Sequence, residues 1–203
     1  VVLDLFSRFV VGWMIAAREN GLLAEQLIAE SCARQQIGLK QLSVHSDRGA
    51  PMTAKPLALL FADLGVTQSL ARPHVPDDNP YSEAQFKTVK YHPTFPDRFG
   101  CELDARAWGQ PFFRWYNFEH HHTGLGLMTP AAVHFGQAQH LFAQREQVLQ
   151  LAYLNHPERF VKGLPRPPAL PSEVWINPPG PGEKASADTF RVTAAIALAA
   201  ALL

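Results

Sequence analysis

Two carboxylates in this chain have the residue type and the setting of ligands for a divalent metal ion. Asp47 lies in the run HSDRG and Glu83 in the run DDNPYSEAQFKTVK, with thirty-five residues between them. The first follows a short apolar stretch that is typical of a strand, and the second opens a stretch that is typical of a helix. Oxygen ligands of this kind suit Mg²⁺ or Mn²⁺. The pair therefore points to metal-dependent chemistry on a phosphodiester.

The helix that Glu83 opens carries basic side chains at helical spacing. Lys87 follows four residues later and Lys90 seven residues later, so all three side chains share one face. These lysines are interpreted either as phosphate partners or, for Lys87, as half of a Glu-Lys pair that merely stabilises the helix. Asn79, with Asp78, is expected to cap the same helix through its side chain. Arg48, in HSDRG, either contacts a DNA phosphate or stays in solvent.

Extended and helical patterns alternate around these residues. A run rich in β-branched and aromatic residues predicts a hairpin at the start of the chain, and helices and strands then follow in turn. This order predicts an α/β fold with parallel pairing across each helical connection. The predicted elements are strands 1–6 and 9–16, a helix from 22 to about 38, strand 41–45, helix 54–64, strand 66–71, helices 81–90 and 103–118, a helix that begins at Thr129 and Pro130, helix 138–154 and strand 173–176.

The composition predicts one main globular core. The chain has 203 residues, of which 47% are hydrophobic. Lys plus Arg and Asp plus Glu both number 18, so the formal net charge is zero and the composition lacks the signature of a strongly basic nucleic-acid-binding protein. Any DNA contact must therefore come from a local patch. Cys32 and Cys101 lack metal-ligand spacing and are expected to be reduced thiols in a cytoplasm.

Changes in composition along the chain indicate four regions. Residues 1–136 are expected to form a catalytic core that is incomplete at its N-terminus, because the chain opens directly in a strand pattern. Residues 137–160 predict a C-terminal helix, and the proline-rich stretch 161–189 predicts an extended segment. The apolar stretch within residues 190–203 is too short to span a bilayer. We expect a foreign or frayed tail there, with a membrane-associated helix as the alternative.

Four runs of the sequence resemble the integrase-core transposases of bacterial insertion sequences, in the group whose second reading frame encodes the catalytic protein. The runs are VVLDLFSRFVVGW, HSDRGAPMT, RPHVPDDNPYSEAQFKTVKYHPTFPDRF and WYNFEHHHTGLGLMTPAAVHFG, and the later VWINPP resembles the end of such proteins. The resemblance covers most of residues 1–179. It implies a ribonuclease H-like fold, with a mixed sheet flanked by helices and a helical, proline-rich C-terminal extension.

The resemblance also implies an active site and its partners. Family members carry an Asp, Asp, Glu triad that binds two Mg²⁺ or Mn²⁺ ions and cuts and joins DNA strands by phosphoryl transfer. Asp47 matches the second acidic position and Glu83 the third, and Asn79 matches an asparagine close to the active site. The implied partners are the DNA of element ends and target and further copies of the chain, without a membrane. The implied location is the bacterial cytoplasm, on the nucleoid when DNA is bound.

The first acidic position of the triad has no match in this sequence. In the family it lies on the strand before the one that reads VVLDLFSR, so Asp4 matches a different, noncatalytic position. We expect Asp4 to be structural, with a substitute metal ligand as the alternative. With two carboxylates the site should bind metal weakly, so the first hypothesis is a transposase chain that is inactive alone. A noncatalytic remnant that binds DNA or other protomers is the alternative, and a ribonuclease H-like nuclease is a distant one.

Four further expectations concern structure more than chemistry. A sheet without its first strand would leave residues 1–6 with an unpaired edge that promotes aggregation. We expect the aromatic stretch 108–116 to pack in the core, and only secondarily to stack on nucleic-acid bases. The neighbours His120, His121 and His122 cannot all face one metal ion on regular secondary structure. His45 either approaches DNA or is a hydrogen-bonded residue.

Overall fold

The computed structural model describes residues 1–72, 78–179, 182, 189–193 and 198–200, and of residues 190, 193 and 198–200 it describes only the backbone. Strands and helices alternate in the first half, as the predicted α/β order requires. The elements are β1 (Val2–Asp4), β2 (Val10–Gly12), α1 (Gly21–Arg34), β3 (Ser43–Ser46), α2 (Lys55–Leu64), β4 (Thr67–Leu70), α3 (Pro80–Lys90), α4 (Glu102–Phe118), α5 (Pro130–His134), α6 (Ala138–Asn155), β5 (Glu173–Ile176), β6 (Phe190–Thr193) and β7 (Leu198–Ala200).

The chain begins with a tight antiparallel hairpin of β1 and β2. Two backbone hydrogen bonds close its turn, from Asp4 N to Phe9 O (2.9 Å) and from Arg8 N to Asp4 O (2.8 Å). Arg8 has a φ of 62° in this turn, a left-handed conformation that costs a residue with a Cβ about 1 kcal/mol. The predicted hairpin is confirmed, although its strands are shorter than the predicted 1–6 and 9–16.

The next elements form a strand, helix and strand unit that leads to Asp47. β3 precedes α2 in the sequence and β4 follows it. The two strands pair in parallel, with Ser43 opposite Thr67 and Ser46 opposite Leu70. α2 ends at Gly65, whose φ of 64° is the left-handed conformation that favours glycine at a helix C-terminus. The predicted parallel pair is confirmed. Asp47 follows immediately after the last residue of β3.

The middle strand of the central sheet comes from the end of the chain. The strand order is β2-β1-β7-β3-β4, with β7 antiparallel to β1 and parallel to β3. β6 pairs antiparallel with β5 in a separate two-stranded sheet. Both β6 and β7 lie within residues 190–203, where we expected a frayed tail, and β7 covers the edge of β1 that we expected to be unpaired. Local pattern did not predict β7 because alanine has little preference for strands.

Apolar side chains cover both faces of this sheet. On one face, α1 and α2 pack against Val2, Val11 and Val44, and on the other α4 packs against Leu3 and Val10. The aromatic residues of α4 are part of this second cluster, and Phe112, Phe113 and Tyr116 are all buried, which confirms the prediction of core packing. A third apolar cluster includes side chains of α5 and α6.

The outer edge of β2 is covered by a side chain. Asn117 Oδ1 accepts a hydrogen bond from Val10 N (2.8 Å), and Asn117 Nδ2 donates to Val10 O (3.0 Å). Asn117 is itself buried. Because both backbone groups of Val10 are paired in this way, this part of the edge cannot recruit another strand.

The second half of the described chain is mainly helical. α5 begins as predicted, with Thr129 Oγ1 accepting a hydrogen bond from Ala132 N and Pro130 at the first helical position. α6 spans eighteen residues and leaves Val148, Leu151 and Leu154 exposed. No helix in the part of the chain that the structure describes has both the length and the apolar character needed to cross a membrane.

Candidate active site

Asp47 lies on an exposed turn directly after β3. Its Oδ1 accepts a hydrogen bond from Gly49 N (3.0 Å), and Gly49 O in turn accepts one from Met52 N (2.9 Å). A Cβ at position 49 would lie 3.0 Å from Asp47 Oδ1, so this tight turn favours glycine there. Since an ionised carboxylate has about four acceptor sites, the Asp47 group keeps capacity for a cation.

Buried hydrogen bonds fix the backbone beside this turn. His45 is 2% exposed, and its Nε2 donates to Asp78 O (2.8 Å) while its Nδ1 lies 3.0 Å from Ser69 Oγ. Burial lowers the pKa of His45, so the ring is neutral at pH 7. Of the two expectations for His45, approach to DNA is wrong, because the end of β3 and the residues before α3 enclose the ring.

Asp78 closes the loop that connects β4 with α3. It is 1% exposed and accepts hydrogen bonds from Arg72 N (2.7 Å), Nε (2.9 Å) and Nη2 (2.7 Å). These bonds from Arg72 hold the pKa of Asp78 well below its usual range. Asp78 was expected to help Asn79 to cap α3, whereas its carboxylate is paired with Arg72. The only available signal was the pair of charges, Arg72 and Asp78, at the two ends of a proline-rich loop.

Glu83 lies exposed in the first turn of α3. The opposite face of the helix buries Ser82, Gln85 and Val89, so the helix presents Glu83, Lys87 and Lys90 outward. A carboxylate at this helix end is favoured by the helix dipole. The prediction that Glu83, Lys87 and Lys90 share one face of this helix is confirmed, and this face is exposed.

Two contacts of Tyr81 anchor the start of α3. The Tyr81 hydroxyl donates to Trp175 O in β5 (3.0 Å), and the Arg8 guanidinium carbon lies 3.9 Å from the centroid of the Tyr81 ring. Such a cation over an aromatic face is attracted by the ring quadrupole. The hairpin turn and the C-terminal extension are thus both tied to the helix that carries Glu83. Sequence pattern did not indicate this role for Arg8 or Tyr81.

The basic residues predicted to meet DNA are all exposed. Arg48 Nε donates to Ala71 O (2.9 Å), just after the end of β4, which fixes the orientation of its guanidinium. Lys87 makes no salt bridge with Glu83 among the described residues, so the interpretation of Lys87 as half of a helix-stabilising pair finds no support in the structure. Lys90 Nζ lies 5.8 Å from the centroid of the Tyr91 ring. All three side chains are exposed; Arg48 follows Asp47 in the sequence, and the two lysines share the outward face of α3 with Glu83.

Asn79 occupies the N-cap position of α3, but its side chain makes no capping hydrogen bond. Asn79 therefore lies at the predicted N-cap position, but the prediction that its side chain caps the helix is wrong. Within the described residues Asn79 Oδ1 is buried without a hydrogen-bond partner. An unpaired buried acceptor costs roughly 1–3 kcal/mol. Among the described residues, Asn79 thus keeps an unpaired acceptor at the start of the helix that bears Glu83, where the resemblance placed a residue of the active site.

Asp4 is part of a buried hydrogen-bond cluster. Its carboxylate accepts hydrogen bonds from Ser7 Oγ (2.6 Å) and Phe6 N (3.0 Å), and His134 Nδ1 lies 2.9 Å from its Oδ2. His134 Nε2 lies 2.9 Å from Gln35 Oε1. With its oxygens engaged and 6% of its surface exposed, Asp4 ties the hairpin to α5 and is not available to a metal ion. The structural interpretation of Asp4 is confirmed.

The exposed carboxylates fit a divalent ion only in part. Asp47 and Glu83 provide hard oxygen ligands, and neither forms a salt bridge within the described residues. Across residues 1–72 and 78–179 and the short described segments beyond, no group of three or more His, Cys, Asp or Glu side chains could hold a metal ion. Proteins often bind Mg²⁺ through one or two carboxylates and leave the remaining positions to water and substrate phosphate. A weak Mg²⁺ or Mn²⁺ site is what these two residues can supply.

The three adjacent histidines are divided between core and surface. His121 is exposed, whereas His120 and His122 are half-buried and pack with Tyr116. Burial lowers the pKa of His122 to about 4, so its ring is neutral at pH 7. This arrangement agrees with the expectation that the three do not face one metal ion.

Comparison with known proteins agrees with the motifs. Two models of the integrase core domain match the chain, one over residues 1–76 and the other over residues 64–130. A transposase for insertion sequence element IS904 from Lactococcus lactis subsp. lactis (strain IL1403) is 29% identical over 136 residues, which are 64% of this chain and 51% of the relative. The chain thus spans about half the length of that relative. The resemblance drawn from the motifs is confirmed, and with it the α/β fold of ribonuclease H type. Residues 1–130 of the chain are therefore similar to the integrase core domain of insertion-sequence transposases.

Proposed function

We propose that this chain is a transposition protein that binds DNA beside a weak divalent-metal site formed by Asp47 and Glu83. One observation carries the proposal. Both carboxylates are exposed at the ends of elements whose connection is fixed by His45, Asp78 and Arg72. Backbone held in this way keeps ligands in place without occupying their oxygens. The proposed partners are DNA and further copies of the chain, in the bacterial cytoplasm.

Each residue of the site has a defined task in this proposal. Asp47 and Glu83 would hold a Mg²⁺ or Mn²⁺ ion, which would supply Lewis-acid polarisation of a phosphodiester. Arg48, Lys87 and Lys90 bind backbone phosphates of DNA and so position the strand. Asn79, at the N-cap position, helps to orient the start of α3.

With two carboxylates the chain alone is proposed to be catalytically incomplete. Hard cations depend on the number and charge of their ligands, and no third acidic group joins Asp47 and Glu83 within the described residues. We expect weak metal binding, retained DNA binding and no joining of DNA strands by the purified chain. The same observation favours a second candidate, a noncatalytic chain that binds DNA without using metal at all.

Calorimetric titration with Mn²⁺ separates these candidates. We expect Asp47→Asn and Glu83→Gln each to abolish a weak Mn²⁺ binding event of the wild-type chain. Asp63→Asn, which neutralises an exposed carboxylate on α2, is the matched control and should retain it. Binding that survives both site substitutions would rule out this metal site and leave the DNA-binding candidate. Metal-dependent strand joining by the purified wild-type chain would refute its catalytic incompleteness.

A further inference from the structure

The C-terminal extension contacts the start of α3 at two points. The Tyr81 hydroxyl donates to Trp175 O in β5 (3.0 Å), and the side chain of Asn177, directly after β5, forms a hydrogen bond with the Asp78 carboxylate. Tyr81 and Asp78 lie on either side of Pro80, the first residue of α3. The extension therefore holds both the first turn of this helix and the loop that leads into it.

The Asp78 carboxylate has room for the contact with Asn177. An ionised carboxylate has about four acceptor sites, and Arg72 provides three donors, N, Nε and Nη2. The bonds from Arg72, and with them the bond from Asn177, hold the pKa of Asp78 well below its usual range. Because Asp78 is 1% exposed, loss of the amide would leave part of a buried carboxylate without a donor.

Asn177 also meets a demand of the backbone. Its φ of 52° is left-handed, a conformation in which Asn is several-fold enriched among residues with a Cβ. Glycine would adopt it with less strain, but glycine has no side chain to donate to Asp78. The backbone and the hydrogen bond therefore make different demands at position 177, and a glycine substitution separates them.

β5 provides a fixed point for these contacts. Val174 and Ile176 are 4% and 1% exposed and belong to the same apolar cluster as Val89 of α3 and Phe112 of α4. The side chain between them, Trp175, is half-buried, which fits the alternation of a strand with one buried face. The strand is therefore anchored against the two helices, and its backbone at Trp175 is held with it.

We propose that residues 175–177 form a clamp on the start of α3 that positions Glu83 relative to Asp47. Tyr81 and Asn177 are its positioning residues. Glu83 lies two residues after Tyr81, in the turn that the clamp holds, and ligands must be kept within about 0.5 Å of their productive positions. The inference rests on the proposed metal site, but the hold of the clamp on α3 can be measured without metal.

The clamp also reaches the turn of Asp47, through Asp78. The carbonyl oxygen of Asp78 accepts a hydrogen bond from His45 Nε2 (2.8 Å), and His45 lies two residues before Asp47. Asp78 is thus joined to the clamp by its carboxylate and to β3 by its carbonyl. A displacement at Asn177 would therefore be transmitted toward both proposed metal ligands.

Hydrogen exchange without metal tests the clamp itself. Tyr81→Phe removes one hydroxyl and leaves the ring in place, and Asn177→Gly removes the amide and keeps the left-handed backbone. Each should accelerate exchange of the Glu83 amide, which donates to Asn79 O (3.2 Å), by about fivefold, the effect of one lost hydrogen bond. Tyr153→Phe, the same substitution on α6, is the matched control and should leave the rate unchanged.

Three results of this experiment would count against the clamp. A Glu83 amide that exchanges at the wild-type rate in both variants would overturn it. So would an equal acceleration at Leu27 in α1, which would mean a general loss of stability rather than a local release of α3. Wild-type exchange in Asn177→Gly alone would mean that Asn177 serves only its backbone conformation, and would overturn its positioning role.

Calorimetric titration with Mn²⁺ tests whether the clamp positions Glu83. Tyr81→Phe and Asn177→Gly should each weaken Mn²⁺ binding by about tenfold, as is usual when a partner that orients a metal ligand is lost. Asn177→Asp, which places a second carboxylate against Asp78, should weaken it further. Tyr153→Phe should bind Mn²⁺ as the wild type does. Tyr81→Phe, the mildest change, keeps the test available if a variant at position 177 fails to fold.

The same titration distinguishes failure of the clamp from failure of the metal site. Mn²⁺ binding that is lost in Glu83→Gln but unchanged in Tyr81→Phe and Asn177→Gly would overturn the positioning role alone. Wild-type Mn²⁺ binding that Glu83→Gln does not alter would refute the proposed metal site and with it the positioning of Glu83. The exchange rates would then still show whether residues 175–177 hold the start of α3.

Discussion

Two aspartates at strand ends of the same sheet, Asp4 and Asp47, lie in opposite environments. The Asp4 carboxylate is buried among Ser7, Phe6 and His134 and accepts hydrogen bonds from groups on two elements. The Asp47 carboxylate is exposed and accepts one hydrogen bond, from the backbone of its own turn. Position at a strand end therefore does not by itself leave a carboxylate free to bind a ligand. What distinguishes the two is whether the structure has already used their oxygens.

This difference in burial predicts that the two aspartates contribute unequally to the free energy of unfolding. Asp4→Ala should lower the free energy of unfolding by about 3 kcal/mol, because it leaves buried partners without an acceptor. Asp47→Ala should change it by less than about 0.5 kcal/mol, as is usual for exposed positions. Urea denaturation of both variants measures this difference. Equal effects of the two substitutions would mean that the contrast between the two sites is wrong.

Asp78 extends the comparison to a buried carboxylate that supports the exposed site. Asp78→Ala should destabilise the chain by about 2–3 kcal/mol at pH 7, because it removes charged hydrogen bonds with Arg72. Since the folded-state pKa of Asp78 is held well below its usual range, its contribution is present above the unfolded pKa of about 4 and is lost as the pH falls through the folded pKa. Wild type and variant should therefore converge in stability in strong acid. A constant difference from pH 7 to pH 2 would contradict the cause given for this shift.

His122 and His121 also differ in burial, since His122 is half-buried and His121 is exposed. Burial lowers the pKa of His122 to about 4, so the folded state resists protonation that the unfolded chain accepts near pH 6.5. The stability associated with neutral His122 is complete above about pH 6.5 and should fall as the pH decreases toward 4. His122→Gln should remove that part of the pH dependence, whereas His121→Gln, at an exposed position, should not. Thermal unfolding at several pH values provides the measurement.

The smallest effect is expected for the basic face of α3. Lys87→Glu with Lys90→Glu should weaken DNA binding and reduce the slope of log K against log salt concentration by about 2, one for each phosphate that the lysines no longer neutralise. Lys40→Glu with Lys55→Glu changes the net charge equally at two other exposed positions and is the matched control. Fluorescence anisotropy across a salt series measures both pairs. Equal weakening of DNA binding by the two pairs would exclude α3 as the DNA surface.

Sequence patterns predicted the parts of this structure that depend on local periodicity. β3, α2, β4 and α3 were predicted because apolar spacing, Gly65 and Pro80 mark their limits, and the predicted positions of Asp47 and Glu83 follow from them. Contacts between distant residues were not predictable in this way. Asn117 on the edge of β2 and the position of β7 in the sheet depend on tertiary pairing, which no single stretch of sequence encodes.

The claim that Asp47 and Glu83 share one metal ion can be tested by paramagnetic broadening in an ¹⁵N-labelled chain titrated with Mn²⁺. The amide signals of Gly49, beside Asp47, and Ala84, beside Glu83, report the two carboxylates separately. We expect both signals to lose intensity first and at the same Mn²⁺ concentration, and both to be protected by either Asp47→Asn or Glu83→Gln. Broadening of the two signals at different concentrations, or protection of only the signal next to the substituted residue, would contradict a shared site.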